Sequence, residues 1–206
     1  PADKVRIPVT DMEVERHGGN SPVPIFLPNM GRKKTPFLSG TATISGRKTS
    51  RMIRAEPLNR DAYLPYGTLV AADPTIPSKS ANFGTAERYN HLGPLKNLRS
   101  GAEPNLCVFR SQPFSGNPFV IQLLERHPHS TQLFVPMSRD ARYLVIVGNG
   151  EETPDLSTIK AFIAVSGQGI TYHPGVWHHP LIALDRPTDF ACVVYEDDSP
   201  ADCDTR

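Results

Sequence analysis

Five of the seven histidines sit in two short stretches, LLERHPHSTQLFVPM (Leu123–Met137) and TYHPGVWHHP (Thr171–Pro180). They are His127, His129, His173, His178 and His179; His17 and His91 stand apart, without supporting context. An imidazole exchanges protons near neutral pH, and its neutral ring nitrogen binds divalent metals. Glu125 stands two residues before His127. Alternate side chains of a strand share a face, so a strand over 120–127 puts Ile121, Leu123, Glu125 and His127 together, with Gln122, Leu124 and Arg126 opposite. A carboxylate and an imidazole on one interior face can do general acid–base work or hold a metal. The blander alternative is a Glu–His pair at a barrel rim, but glutamate is seldom buried without a purpose. The same alternation separates His178 from His179 and sets Trp177 on the face opposite His178.

The elements that must position these residues read as strands. Runs rich in Val, Ile, Phe and Tyr occur at 67–71, 106–110, 119–127, 131–136, 143–148, 159–165, 169–173, 176–183 and 190–196, each bounded by turn residues. A short helix is expected over 59–63 and a helical turn over 154–158, with Asp155 near its start. The stretch 73–82 reads as a loop. Residues 1–50 are rich in Pro, Gly, Ser and Lys and read as an irregular extension or arm, with 51–206 as the domain. Short strands without long amphipathic helices between them predict an all-β sandwich or barrel rather than a parallel α/β sheet. There is no P-loop and no G-x-G-x-x-G.

Composition narrows the function classes. The 206 residues carry a formal net charge of +1, which argues against a nucleic-acid footprint. The basic group Arg47, Lys48, Arg51 and Arg54 reads as a solvated segment. Mean hydropathy is -0.34, and no apolar run approaches the roughly 20 residues of a membrane helix. A soluble protein without a membrane partner is expected. Three widely spaced cysteines, Cys107, Cys192 and Cys203, fit a reducing compartment, and with no signal-peptide pattern a cytoplasmic location is expected. Cys107 and Cys192 look like small buried apolar residues rather than catalytic thiols.

Pro174-Gly175 followed by His178 is similar to the second motif of cupin barrels, and His127-Pro-His129 to the first. Gln132 stands near the place of the first motif's glutamate, so a standard three-histidine, one-glutamate metal centre is not expected. From Leu123 to Asp204 the chain resembles the ureidoglycolate lyase family, also called ureidoglycolate hydrolase. The residues that carry this are ERHPHSTQLFVPM, PDLSTIKAFI, GITYHPGVWHHPLIAL, TDF at 188–190 and CD at 203–204. Weaker matches are YGTLV at 66–70, AERY at 86–89 and FRSQP at 109–113.

The resemblance implies a bicupin-like β-barrel with a few short helices, commonly a homodimer. It implies cleavage of (S)-ureidoglycolate to glyoxylate and urea in allantoin (purine) degradation, with no redox change. It leaves two alternatives for the cofactor: a divalent metal, nickel or manganese, or none. The substrate carries a carboxylate, a hydroxyl and a ureido group on one carbon. Its elimination needs a proton taken from the hydroxyl and one given to the departing nitrogen.

Glu125, His127 and His178 are assigned to that acid–base or metal cluster, and Gln132 to orienting the substrate or a water. Lys160, expected to share a strand face with Phe162, is a candidate for stabilising the developing carbonyl oxygen. Arg88 and Arg110 are candidate clamps for the carboxylate, with surface ion pairs as the alternative. Tyr143 is a candidate for lining the pocket, as is Tyr172, with core packing the alternative for both. Asp189 would orient His178 or His179, or cap a turn. Two rival readings are a metal-dependent cupin oxygenase and a non-catalytic cupin that binds a small acid.

Overall fold

The structure is a computed structural model and describes residues 5–8 and 51–206. The expected arm over 1–50 otherwise lies outside the described residues. The first strands are β1 (Val5–Ile7), β2 (Arg51–Met52), β3 (Glu56–Pro57), β4 (Gly67–Val70), β5 (Ser78–Ala81) and β6 (Ala86–Tyr89). Next come β7 (Glu103–Ser111), β8 (Phe119–Val120), β9 (Glu125–Arg126), β10 (Gln132–Pro136), β11 (Arg142–Gly148) and β12 (Lys160–Val165). The last are β13 (Gly169–Tyr172), β14 (Trp177–His178), β15 (Ile182–Ala183), β16 (Thr188–Glu196) and β17 (Asp204–Thr205). One short helix, α1 (Arg60–Tyr63), starts at Asn59, whose side chain accepts the Ala62 N–H at 2.9 Å, an ordinary N-cap. Asp155 caps a single 3-10 turn, Leu156–Thr158, in the same way.

Two sheets make the frame. One has five strands in the order β4-β13-β10-β16-β7, and the other runs β17-β9-β14-β11-β12-β3 with β15 beside β11. They face one another across a core that includes Tyr143, Val145, Val147 and Phe162 from the longer sheet and Phe134, Ile170, Tyr172, Phe190 and Cys192 from the shorter one. This is a double-sheet, all-β arrangement. β11 is buried along nearly its whole length. Its other face, Leu144 and Ile146, joins Trp177, Ile159 and Leu124 in a second core under the small sheet β2-β1-β8. Val5 and Ile7 of β1 are buried there, so the chain's start contributes a strand that composition did not suggest. Among the described residues no helix is long and apolar enough to cross a membrane.

Three sequence expectations on the strands change; one is that the run 176–183 holds two separate strands, β14 and β15, rather than one. The run 119–127 is not one strand. β8 and β9 are separated by irregular backbone, and Leu124 is buried in the second core while Leu123 is exposed. The Leu124 N–H and C=O bond the backbone of Arg206, which extends the β17–β9 ladder by one residue, so the face alternation holds from Leu124 onward. The stretch 73–82 is not all loop either, because β5 pairs with β6 in an exposed hairpin. Its Ser-Lys-Ser-Ala sequence lacks the apolar alternation by which strands are recognised.

Gly67 fixes how closely β4 approaches β13. A Cβ there would lie 1.6 Å from the Thr171 carbonyl oxygen and 3.1 Å from the Tyr63 ring. Because the first obstacle is backbone, Gly67→Ala is expected to cost about 3 kcal/mol or more. That corresponds to a fall of roughly 6–12 °C in Tm, measured by thermal melting against wild type.

Candidate active site

β9 and β14 are neighbours in the longer sheet, and Glu125 and His178 are direct cross-strand partners. Residues in that position project from the same face. The turn before β14 makes the pairing possible. Gly175 takes φ +81°, in the left-handed region that favours glycine, and its N–H donates to the His127 carbonyl at 2.9 Å. The two histidine-bearing stretches are therefore tied together through backbone. Beyond His178, Trp177 turns to the second core, donates its indole N–H to the Glu151 carbonyl at 3.1 Å and lies under the Arg126 guanidinium, 5.0 Å from the ring centre.

On the interior face, Glu125, His127 and His178 each offer one ligand-type atom, all within 4.8 Å of one another. His178 is 1% exposed. Its Nδ1 meets the Val176 carbonyl at 2.9 Å, and the Nδ1 of His127 meets the Asp202 carbonyl at 2.8 Å. A carbonyl only accepts, so both Nδ1 atoms carry the proton and both Nε2 lone pairs are left free. The Glu125 carboxylate lies 3.5 Å from His178 Nε2, too far for a well-formed hydrogen bond, and Nε2 has no other partner. The His178 ring stacks on Tyr172 at 3.9 Å and 10°.

Electrostatics follows from burial. Burial pushes the Glu125 carboxyl up, but contact with His178, with His127 and His179 behind it, holds it below the usual carboxylate range. Burial, with the neighbouring His178, pushes His127 down. The centre near neutral pH is an ionised carboxylate beside a neutral imidazole. Three ligands with open positions and free Nε2 donors fit a catalytic divalent site, and the backbone carbonyls on Nδ1 are the outer partners such ligands take.

The structure brings Gln132 to the same interior, as the cross-strand partner of Tyr172 and 4% exposed. It does not bring the other predicted residues into the cluster. Lys160 is in line with His178 across Val147, but its side chain is exposed, so its ammonium stands in solvent. Arg88 is exposed on the β5–β6 hairpin. Arg110 is 72% exposed and forms a two-point ion pair with Asp189, at 2.7 and 2.9 Å. That pair sits at the end of β16 away from Glu196, the residue whose charge reaches His127.

Asp189 therefore orients neither histidine; backbone carbonyls do, for His179 that of Pro180 at 2.7 Å. Tyr143 is fully buried at the opposite end of β11 from His178, and its hydroxyl is committed to the Gln168 carbonyl. Its place is core packing. The His173 ring meets the Leu64 carbonyl at 3.2 Å, and the His179 ring packs edge-on against Phe119. Cys107 and Cys192 are cross-strand partners and free thiols; burial, with the Cys107 thiol beside it, pushes the Cys192 thiol well up.

Sequence reasoning missed the C-terminal turn. Arg99 bonds Asp197 at 3.0 and 3.1 Å, Ser199 at 3.1 Å and the Asp202 carboxylate. The Asp202 carboxylate also takes the Asp197 N–H. This network holds the carbonyl that fixes His127. No sequence motif marks it, because its parts are almost a hundred positions apart.

A family model described as Ureidoglycolate lyase matches residues 50–206. The chain belongs to the ureidoglycolate lyase family. The ureidoglycolate lyase of Burkholderia cepacia is 41% identical over 143 residues, 69% of this chain and 78% of that protein. The ureidoglycolate lyase of Salmonella paratyphi B is 40% identical over 137 residues, 66% of this chain and 83% of that protein. Among solved structures, RmlC from Streptococcus suis in complex with dTDP-D-xylose aligns with a TM-score of 0.35 at 11% identity, over 48% of this chain and 46% of that one.

In this ureidoglycolate lyase family member, Arg99→Met frees the Asp202 turn without touching the cluster. The expected result is a fall in kcat of roughly 10- to 100-fold, the usual cost of losing an orienting partner, with KM little changed in steady-state assays.

Proposed function

We propose that Glu125, His127 and His178 carry the cleavage of (S)-ureidoglycolate to glyoxylate and urea. The observation that supports this most is the free Nε2 of two buried histidines, each fixed through Nδ1, beside an ionised carboxylate. The reaction makes no net demand for protons. The substrate hydroxyl loses a proton as the carbon–oxygen bond becomes a carbonyl, the carbon–nitrogen bond breaks, and the departing urea nitrogen gains a proton. A Glu–His pair that accepts the first and delivers the second suffices. Glu125, held ionised, is the acceptor, and His178, directly across from it, hands the proton on. His127 fixes the hydroxyl end of the substrate, and Gln132 orients it from the facing sheet.

A divalent ion, nickel or manganese, held by Glu125 and the free ring nitrogens of His127 and His178 would supply Lewis-acid polarisation of the hydroxyl oxygen. The donor set is compatible with that and with metal-free acid–base work. Dialysis against EDTA distinguishes them: lost activity that nickel or manganese restores means the metal form, retained activity the acid–base pair.

The E125Q, H127A and H178A variants are each expected to lower kcat by about 10²- to 10⁴-fold while remaining folded by circular dichroism. Wild-type glyoxylate release from both H127A and H178A would sink the assignment.

We place the protein in the cytoplasm, consistent with its three free cysteines, and propose that it works as a homodimer. The apolar outer face of the five-stranded sheet supports this. Leu106 and Val108 of β7 are 72% and 60% exposed, in line with Val193 and Ala191 of β16 and Leu133 and Val135 of β10. A second copy of the chain would cover it. The double variant L106D/V108D is expected to sediment as a monomer where wild type sediments as a dimer.

A further inference from the structure

Three buried polar atoms on the interior face have no partner among the described residues: His178 Nε2, the Gln132 side-chain oxygen and the Tyr172 hydroxyl. The first belongs to the reacting cluster; the other two are not explained by it. Gln132 and Tyr172 are 4% and 1% exposed, and such groups are ordinarily satisfied. They are direct cross-strand partners on β10 and β13, so their side chains rise side by side from one face.

The Tyr172 ring is stacked flat on His178, and its hydroxyl is buried without a partner among the described residues. A phenol hydroxyl can donate a hydrogen bond. The Gln132 side-chain oxygen, an acceptor, is buried without a partner among the described residues. The paired residues therefore offer an acceptor and a hydroxyl that can donate on the face that carries the ring stacked on His178.

We propose that Gln132 and Tyr172 form the subsite for the ureido group. The Gln132 oxygen accepts a ureido N–H, and the Tyr172 hydroxyl donates to the ureido oxygen. A ureido group offers a donor and an acceptor on adjacent positions of one rigid plane, which matches the pair. A carboxylate, which only accepts, would leave the Gln132 oxygen facing another acceptor. The subsite rests on the reading of the site as a ureidoglycolate-cleaving centre. Within that reading it aims the departing nitrogen at the residues that must protonate it. It also sets specificity, because an analogue without the ureido group leaves both atoms unpaired.

The test uses two unreactive ligands and two near-isosteric variants, Tyr172→Phe and Gln132→Met. Ureidoacetate keeps the ureido and carboxylate groups and lacks the hydroxyl; glycolate keeps the hydroxyl and carboxylate and lacks the ureido group. Titration calorimetry is expected to show ureidoacetate binding weakened roughly tenfold in each variant, the size of one lost hydrogen bond, and glycolate binding changed by less than about twofold. Tyr172→Phe is also expected to melt no lower than wild type, since its hydroxyl has no partner among the described residues. Unchanged ureidoacetate binding, or equal weakening of both ligands, would overturn the subsite. If wild type releases no glyoxylate from ureidoglycolate, the lyase reading itself fails. Turnover by wild type with unchanged ureidoacetate binding in the variants removes the subsite alone.

Discussion

The cross-strand pairing of Glu125 with His178 is the constraint on which the centre depends. β9 and β14 are each two residues long, too short to hold a register alone. They are held from outside. Gly175 ties the turn before β14 to the His127 carbonyl, β11 flanks β14, and β17 flanks β9. Arg126 fastens β17 through Asp204 at 2.7 Å and covers Trp177. Side chains on the outer face of these strands thus carry the packing, and the inner face is left for chemistry. A slip of one residue in either strand would exchange His178 with Trp177 or Glu125 with Arg126. Both exchanges would destroy the cluster.

Much of the fold was legible because β11, β12, β13 and β16 are long apolar runs with clear boundaries. Their positions differ from the sequence reading by a residue or two. The weaker elements failed for physical reasons. β5 and β6 are exposed and polar, so they carry no hydrophobic alternation. β8 and β9 were read as one strand because 119–124 is mostly apolar, yet only Phe119, Ile121 and Leu124 of that run reach the second core, and the backbone between the two strands is irregular. Glu125, His127 and His178 were legible as a local two-residue spacing plus a turn motif. Tyr172 was legible as a candidate for lining the pocket, but its pairing with Gln132 was not, since register cannot be read from one strand. Arg88 and Arg110 illustrate the converse. A cation inside a family-like segment was expected at the centre, while the exposed position of each and the Asp189 partner of Arg110 account for it.

Two backbone carbonyls do the work that a carboxylate does in many histidine sites. Asp202 and Val176 fix the tautomers of His127 and His178 without adding negative charge near Glu125. The single carboxylate then remains the only acid among the three clustered groups. This division of roles suits a reaction that moves one proton from an oxygen to a nitrogen and changes no oxidation state. It also explains why a C-terminal turn so distant in sequence belongs to the centre.

The most direct test is to incubate the purified protein with racemic ureidoglycolate and measure glyoxylate and urea together. The account predicts the two products in equal amounts, at a rate proportional to protein. Absence of both products, with or without added nickel or manganese, would contradict it.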